Sequence, residues 1–267
     1  TPTATTDGHC GMIVDCEVTA DVNESREALA SVDRIEDTFG QKPEKFLTDG
    51  GNVSGQIIHG MEERGVEFYA PVKSNQPQEG NPTHREDPTQ PVAEEDLPKL
   101  PRNPQGQFDK SGFVYDAEHD RYYCPQGETL SFEKTKPSER GGERVTVRVY
   151  RCHACSGCPL VAQCLASNNK NGRTIARDAF EAERERAAAR MMTPVARGVY
   201  NQRPRIAETT FAIMKSVLGF RQFLLRGLAK VKIEWQWICT AFNIRKMMRH
   251  LAKLRAEIAL LAANAEG

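Results

Sequence analysis

Three things are scarce in this 267-residue sequence. No apolar run reaches the roughly 18 residues that a membrane-spanning helix needs, and no secretory leader pattern is visible. A membrane-embedded or exported protein is therefore not expected. The evenly spaced, paired cysteines of a disulfide scaffold are also missing. Of eight cysteines, five fall at Cys124, Cys152, Cys155, Cys158 and Cys164, while Cys10, Cys16 and Cys239 stand apart. Such clustering suits a metal site in a reducing compartment. The third scarcity is local: from Arg197 to Arg255 there are thirteen Lys or Arg and only two acids, Glu208 and Glu234.

The formal net charge of zero hides a division. Residues 1–100 carry twenty acids and eight bases, a net of −12, whereas the Arg197–Arg255 stretch has a net of +11. A basic block of that density points to a polyanion, because phosphate contacts are made largely by Lys and Arg. The plainer alternative is that the two ends neutralise each other.

Thr1–Thr19 reads as a hairpin turning at Asp7-Gly8. Ser25 is placed to cap a helix that runs to about Phe39, with Leu29, Val32 and Ile35 on one buried face, and Gly40 ends it. Phe46-Leu47-Thr48 is a short strand stopping at Asp49. A helix over Ser54–Gly65 and a strand within Val66–Lys73 follow, so the order is that of an α/β sheet. Residues 74–107, rich in Pro, Asn, Gln and acids, are expected to be an acidic, poorly ordered connection. Residues 108–176 form a small β-rich, Cys-rich insert in which Thr146–Cys152 alternates like a strand. Residues 177–267 are helical, with a break at Thr193-Pro194, Pro204 in the first turn of the helix holding Glu208, and a last helix over Ala229–Ala263.

Three constellations could carry chemistry. Asp49 ends a strand and precedes two glycines, and ligands of open α/β sheets bind beyond the carboxyl ends of strands. A carboxylate there suits Mg²⁺, which takes one or two carboxylates together with phosphate oxygens and water, although an ordinary turn residue is the commoner role. Glu208 has Arg203 five residues before it and Lys215 two turns after it on the same helical face. A surface ion pair is the commoner role for a single Glu. Cys155, Cys158 and Cys164, spaced C-x₂-C-x₅-C, together with Cys124 supply four thiolates for a closed structural Zn²⁺ site. Cys152 and His153 are spare candidates.

LTDGG with FYAPVK, the CPQG turn and CxxCPLxxxC insert, YNQRPRIAETTFAIMK and GFRQFLLRGLAKVKIEWQWICTAFNIRKM together resemble bacterial insertion-sequence transposases of the Asp-Asp-Glu (DDE) type. Tyr200, Arg203, Glu208 and Lys215 match the Tyr-Arg-Glu-Lys signature of that family. The resemblance implies an α/β fold: a ribonuclease H-like mixed sheet flanked by helices, interrupted by the Cys-rich insert. It makes residues 1–73 the first part of the catalytic core and 177–267 the second. Asp49 would be the second catalytic aspartate and Glu208 the glutamate, both holding Mg²⁺ or Mn²⁺. Arg203 and Lys215 would lie nearest the cut, and Tyr200, Arg221, Arg226, Lys230 and Lys232 would contact DNA. One departure is Gly51, where the family usually has an aromatic residue.

A ribonuclease H-like core has three antiparallel strands before its first helix, and its first aspartate is on strand one. Only two strands are read before Ser25. Thr1–Thr19 is therefore expected to be strands two and three, with the first aspartate upstream of Thr1 and a chain truncated at its start; Asp7 is the alternative. The implied function is DNA cleavage and strand transfer by phosphoryl transfer during transposition. Transposon ends and target DNA would be partners, a homo-oligomer would form when the chain is complete, and the place of action would be the bacterial cytoplasm at the nucleoid. The alternative is a catalytically dead remnant that keeps zinc and DNA binding.

Overall fold

The computed structural model describes residues 1–20, 27–72, 81–140, 143–169 and 171–265. The expected cap at Ser25 lies outside the described residues. In order, the chain forms β1 (Pro2–Thr6), β2 (Ile13–Val18), α1 (Glu27–Phe39), β3 (Lys45–Leu47), α2 (Gly55–Glu63) and β4 (Glu67–Tyr69). Strands β5 (Val114–Asp116), β6 (Arg121–Tyr123), β7 (Thr129–Arg140) and β8 (Glu143–Cys152) follow, then α3 (Val161–Cys164), β9 (Thr174–Asp178), α4 (Glu181–Met192) and α5 (Pro194–Tyr200). The chain ends with α6 (Thr209–Ser216) and α7 (Leu228–Ala265). The fold is mixed α/β, and it divides into two compact units.

The first unit comprises Thr1–Asn52, Gly60–Ala70 and Pro194–Gly267. Here β1 and β2 pair antiparallel, and β3 and β4 pair parallel through α2. Each strand pair is a separate two-stranded sheet. Helix α1 forms because Ala28, Val32 and Ile35 recur at helical spacing and bury one face. Helix α7 lies on β2. Trp235, Cys239 and Phe242 are buried with Ile13, Val18 and Met214, and Phe211, Phe220 and Phe223 pack around them. Two polar contacts fix the register. The Trp235 indole donates to the Thr3 carbonyl at 2.8 Å, and the Asn243 amide both accepts from Ile13 N at 2.9 Å and donates to Ile13 O at 2.8 Å.

The second unit comprises Val53–His59 and Pro71–Thr193. Its centre is a five-stranded antiparallel sheet in the order β5-β6-β7-β8-β9. Phe108, Phe113, Tyr122, Leu130, Tyr150 and Ile175 fill its core. Residues 81–107 fall in the stretch expected to be an open connection. In the structure Val92 and Leu100 are buried in this core, and Val92 N bonds to the Pro125 carbonyl at 2.8 Å. The physical reason lies in the CPQG turn. Gly127 has φ +84°, and a Cβ there would stand 2.1 Å from the Thr89 carbonyl oxygen. Only glycine allows the two backbones to approach so closely, and the Arg85 guanidinium seals the contact by donating to the Cys124 and Pro88 carbonyls. A low apolar content hid a segment that is held mainly through its backbone.

A buried ionic cluster closes this unit. The Glu181 carboxylate is fully buried and receives Lys110 Nζ and Arg184 Nη2, each at 2.7 Å. Arg184 also holds the buried Asp178 at 2.6 Å. Burial by itself would raise the Glu181 carboxyl, but the two cations outweigh it and hold it down at about 2.

Candidate active site

Two carboxylates widely separated in sequence meet one guanidinium in the first unit. Asp49 lies two residues beyond β3. Its Oδ1 accepts the Gly51 N–H at 3.1 Å, and a Cβ at Gly51 would sit 3.2 Å from that oxygen. The glycine found where the resembling family carries an aromatic thus lets the backbone fold back onto the Asp49 carboxylate. Glu208 ends a π-helical turn, Pro204–Glu208, that enters α6. Arg203 precedes that turn. Its guanidinium approaches Asp49 Oδ2 at 3.6 Å and Glu208 Oε1 at 3.3 Å. Asp49 and Glu208 are 53% and 64% exposed while Arg203 is 21% exposed. The cation is held by the protein and the two anions face solvent. Single-turn π segments recur at functional sites, and this one brings Arg203 back toward its own Glu208.

A cleft of about 980 Å³ adjoins the cluster. It is lined by Thr5, Thr6 and Asp7, by Lys45, Phe46 and Leu47 of β3, and by Arg203 and Asn243. Asp7 follows β1 directly, and its Oδ2 accepts from His9 N at 3.1 Å, Cys10 N at 2.6 Å and the Cys10 thiol at 2.9 Å. Slight burial raises the Asp7 carboxyl, but these donors prevail and hold it below the usual carboxylate range. The pull is reciprocal: burial and the Asp7 carboxylate push the Cys10 thiol up. Among the described residues, no three His, Cys, Asp or Glu side chains are gathered so as to hold a metal ion. The two carboxylates are of the donor type that a hard cation takes together with phosphate oxygens and water, and both are exposed.

The basic residues named from sequence are not equivalent. Arg221, Arg226 and Lys230 are exposed in and after the loop before α7, and Lys215 is exposed on α6. Tyr200 is half-buried at the end of α5. Lys232 is engaged with Glu17 at 3.0 Å. Glu234, the other acid in the basic stretch, accepts from Leu224 N and Leu225 N at 2.8 and 2.9 Å. It shapes the loop that displays Arg221 and Arg226. Nothing in its sequence neighbourhood signals this role, because the partners are backbone amides ten and nine residues away.

In the second unit Cys124, Cys152, Cys155, Cys158 and Cys164 line one small cavity of about 20 Å³ with Phe108, Leu160 and Leu165. Cys152, only a spare candidate by sequence, interacts with both Cys124 and Cys155. Burial pushes the Cys164 thiol up to about 11. His153 is exposed and does not line the cavity.

Residues 123–248 match the family model described as the transposase DDE domain. This part of the chain is similar to a transposase DDE domain. The matched segment is just under half of the chain and contains Arg203, Glu208, Lys215 and the five clustered cysteines. Asp7 and Asp49 lie outside it, so their meeting with Arg203 at the cleft or the carboxylate pair is independent of the match. No curated protein and no solved structure matches the chain. No helix among the described residues is long and apolar enough to cross a membrane.

Proposed function

We propose that this chain is the catalytic part of a DDE transposase and that Asp49 and Glu208 are two of its metal-holding carboxylates. The observation that carries the reading is the single guanidinium shared by two exposed carboxylates 159 residues apart. Either acid could make an ordinary surface ion pair by itself; the reading rests on both meeting the same guanidinium, since a site that handles phosphate needs both anions and a fixed cation. In this reading Asp49 and Glu208 hold Mg²⁺ or Mn²⁺, which supplies Lewis acidity for an in-line displacement at phosphorus. Arg203, which lies beside both acids, would be placed to contact a non-bridging phosphate oxygen of bound DNA. Lys215 on the exposed face of α6, with Arg221 and Arg226 on the loop before α7 and Lys230 in the first turn of α7, holds the DNA backbone.

Two sheet fragments of two strands each flank the cleft that Asp7 lines. A ribonuclease H-like core is supported by the parallel β3-α2-β4 unit with an acid beyond its first strand. In that core the cleft is the place of a strand joining β1 to β3. Structural zinc in the second unit, with DNA and target site as partners, belongs to the same proposal: the five cysteines line one cavity, and four of them would have to draw together to hold the ion. Cys152 then competes with Cys158 and Cys164 as a ligand to the set that includes Cys124 and Cys155.

Titration with Mn²⁺, followed by calorimetry and by cleavage of DNA carrying the element's ends, tests the catalytic part. Binding that disappears in both Asp49→Asn and Glu208→Gln, with DNA affinity retained, is the expected result. Mn²⁺ binding that ignores both substitutions, or its absence in the unaltered protein, removes the assignment. Elemental analysis of purified protein tests zinc: about one atom per chain is expected, and a metal-free protein with freely reactive thiols refutes it.

A further inference from the structure

Helix α7 is apolar on two opposite sides. One side, Trp235, Cys239 and Phe242, is buried on β2. The other belongs to its C-terminal half. Ile244, Met247, Leu251, Leu254, Ile258 and Leu261 follow one another at intervals of three and four, and they are 40 to 70% exposed. This is a heptad repeat with Ile244, Leu251 and Ile258 at the first position and Met247, Leu254 and Leu261 at the fourth. From Met247 to Ile258 every residue is exposed, so among the described residues this part of the helix is not buried against the rest of the fold. Large apolar stripes on a surface mark contact sites.

We propose that this seam binds the same seam of a second copy of the chain, antiparallel, with the two-fold axis between Leu251 and Leu254. The sequence is self-complementary in that register. Leu251 meets Leu254 of the second copy, Met247 meets Ile258, and Ile244 meets Leu261, so all six apolar side chains find a partner. Charge selects the same orientation. Antiparallel packing sets Glu257, which lies 3.7 Å from Lys253 on its own helix, across from His250 of the second copy, and Arg255 across from Met248. A parallel pair would set His250 against Arg255 and leave Glu257 facing Ala262. Arg245, Lys246, Arg249 and Lys253 fall off the seam and remain free of the contact. Twelve such side chains bury on the order of 1,000 Å², near the lower bound of a specific interface. The contact rests on helix geometry and does not depend on the catalytic reading.

Sedimentation of the full 267-residue protein over a concentration series is the test. The unaltered protein is expected to dimerise, and Leu251→Asp with Leu254→Asp is expected to be monomeric while keeping the near-ultraviolet signal of the buried Trp235. Glu257→Lys should weaken the dimer about fivefold, and adding His250→Glu should restore it. A monomer at all concentrations, or a dimer that survives the double Asp variant, overturns the proposal. Loss of affinity in Glu257→Lys that His250→Glu fails to restore overturns the antiparallel register.

Discussion

Two ionic clusters of similar composition do opposite jobs in this molecule. In the second unit Lys110, Glu181, Arg184 and Asp178 are buried together, with every oxygen–nitrogen distance at 2.6 or 2.7 Å. In the first, Asp49 and Glu208 stand in solvent with Arg203 at 3.6 and 3.3 Å. Burial makes the first cluster expensive to disrupt, because each charge has given up water and keeps only its partners. Exposure makes the second cheap to rearrange, because water can replace the guanidinium at either carboxylate. The proposed function, in which Asp49 and Glu208 give up Arg203 for a metal ion, requires acids of the second kind.

The largest expected effect tests the buried side of this contrast. Glu181→Ala removes the carboxylate that Lys110 and Arg184 share and should cost about 3–5 kcal/mol in chemical denaturation; a loss below about 1 kcal/mol would show that the cluster is hydrated. The pH dependence has a defined sign. The Glu181 carboxyl is held at about 2 when folded against 4.5 ordinarily, so the unfolded chain takes up the proton first. Its contribution, roughly 3 kcal/mol, is complete above about pH 4.5 and is lost as pH falls toward 2. Acid unfolding of Glu181→Gln should lack that component of the slope.

An intermediate effect concerns the clamp between α7 and β2. Asn243→Ala removes both hydrogen bonds to the Ile13 backbone and should cost about 1–3 kcal/mol, read as a fall in Tm. The smallest stability effect is expected where the functional effect is greatest. Asp49→Asn and Glu208→Gln should change stability by less than about 0.5 kcal/mol while abolishing Mn²⁺ binding. A drop comparable to that of Glu181→Ala would mean that the exposed acids are structural and that the contrast is false. Last, Arg226→Ala should lower the salt slope of DNA binding by about one, and Lys232→Ala, with Lys232 already engaged by Glu17, should lower it less.

Local pattern made much of the molecule legible. The hairpin, the α1 face of Val32 and Ile35, the strand ending before Asp49 and the helix break at Thr193-Pro194 all follow from short-range periodicity and turn chemistry. Residues 81–107 were not legible, because glycine at position 127 and backbone hydrogen bonds hold them, and neither shows in a count of apolar residues.

By itself the sequence determined the elements, the segregation of charge, the cysteine cluster and the Tyr-Arg-Glu-Lys pattern around Glu208, since each depends on residues within a few turns of one another. Tertiary structure alone decided which carboxylates share Arg203, that Cys152 faces the same cavity as Cys124, that Glu234 and Asn243 serve backbone groups, and that Glu181 is buried and charged. Each of these is a contact between segments distant in the chain, and a side chain's charge, reach and cost depend on what the fold sets beside it.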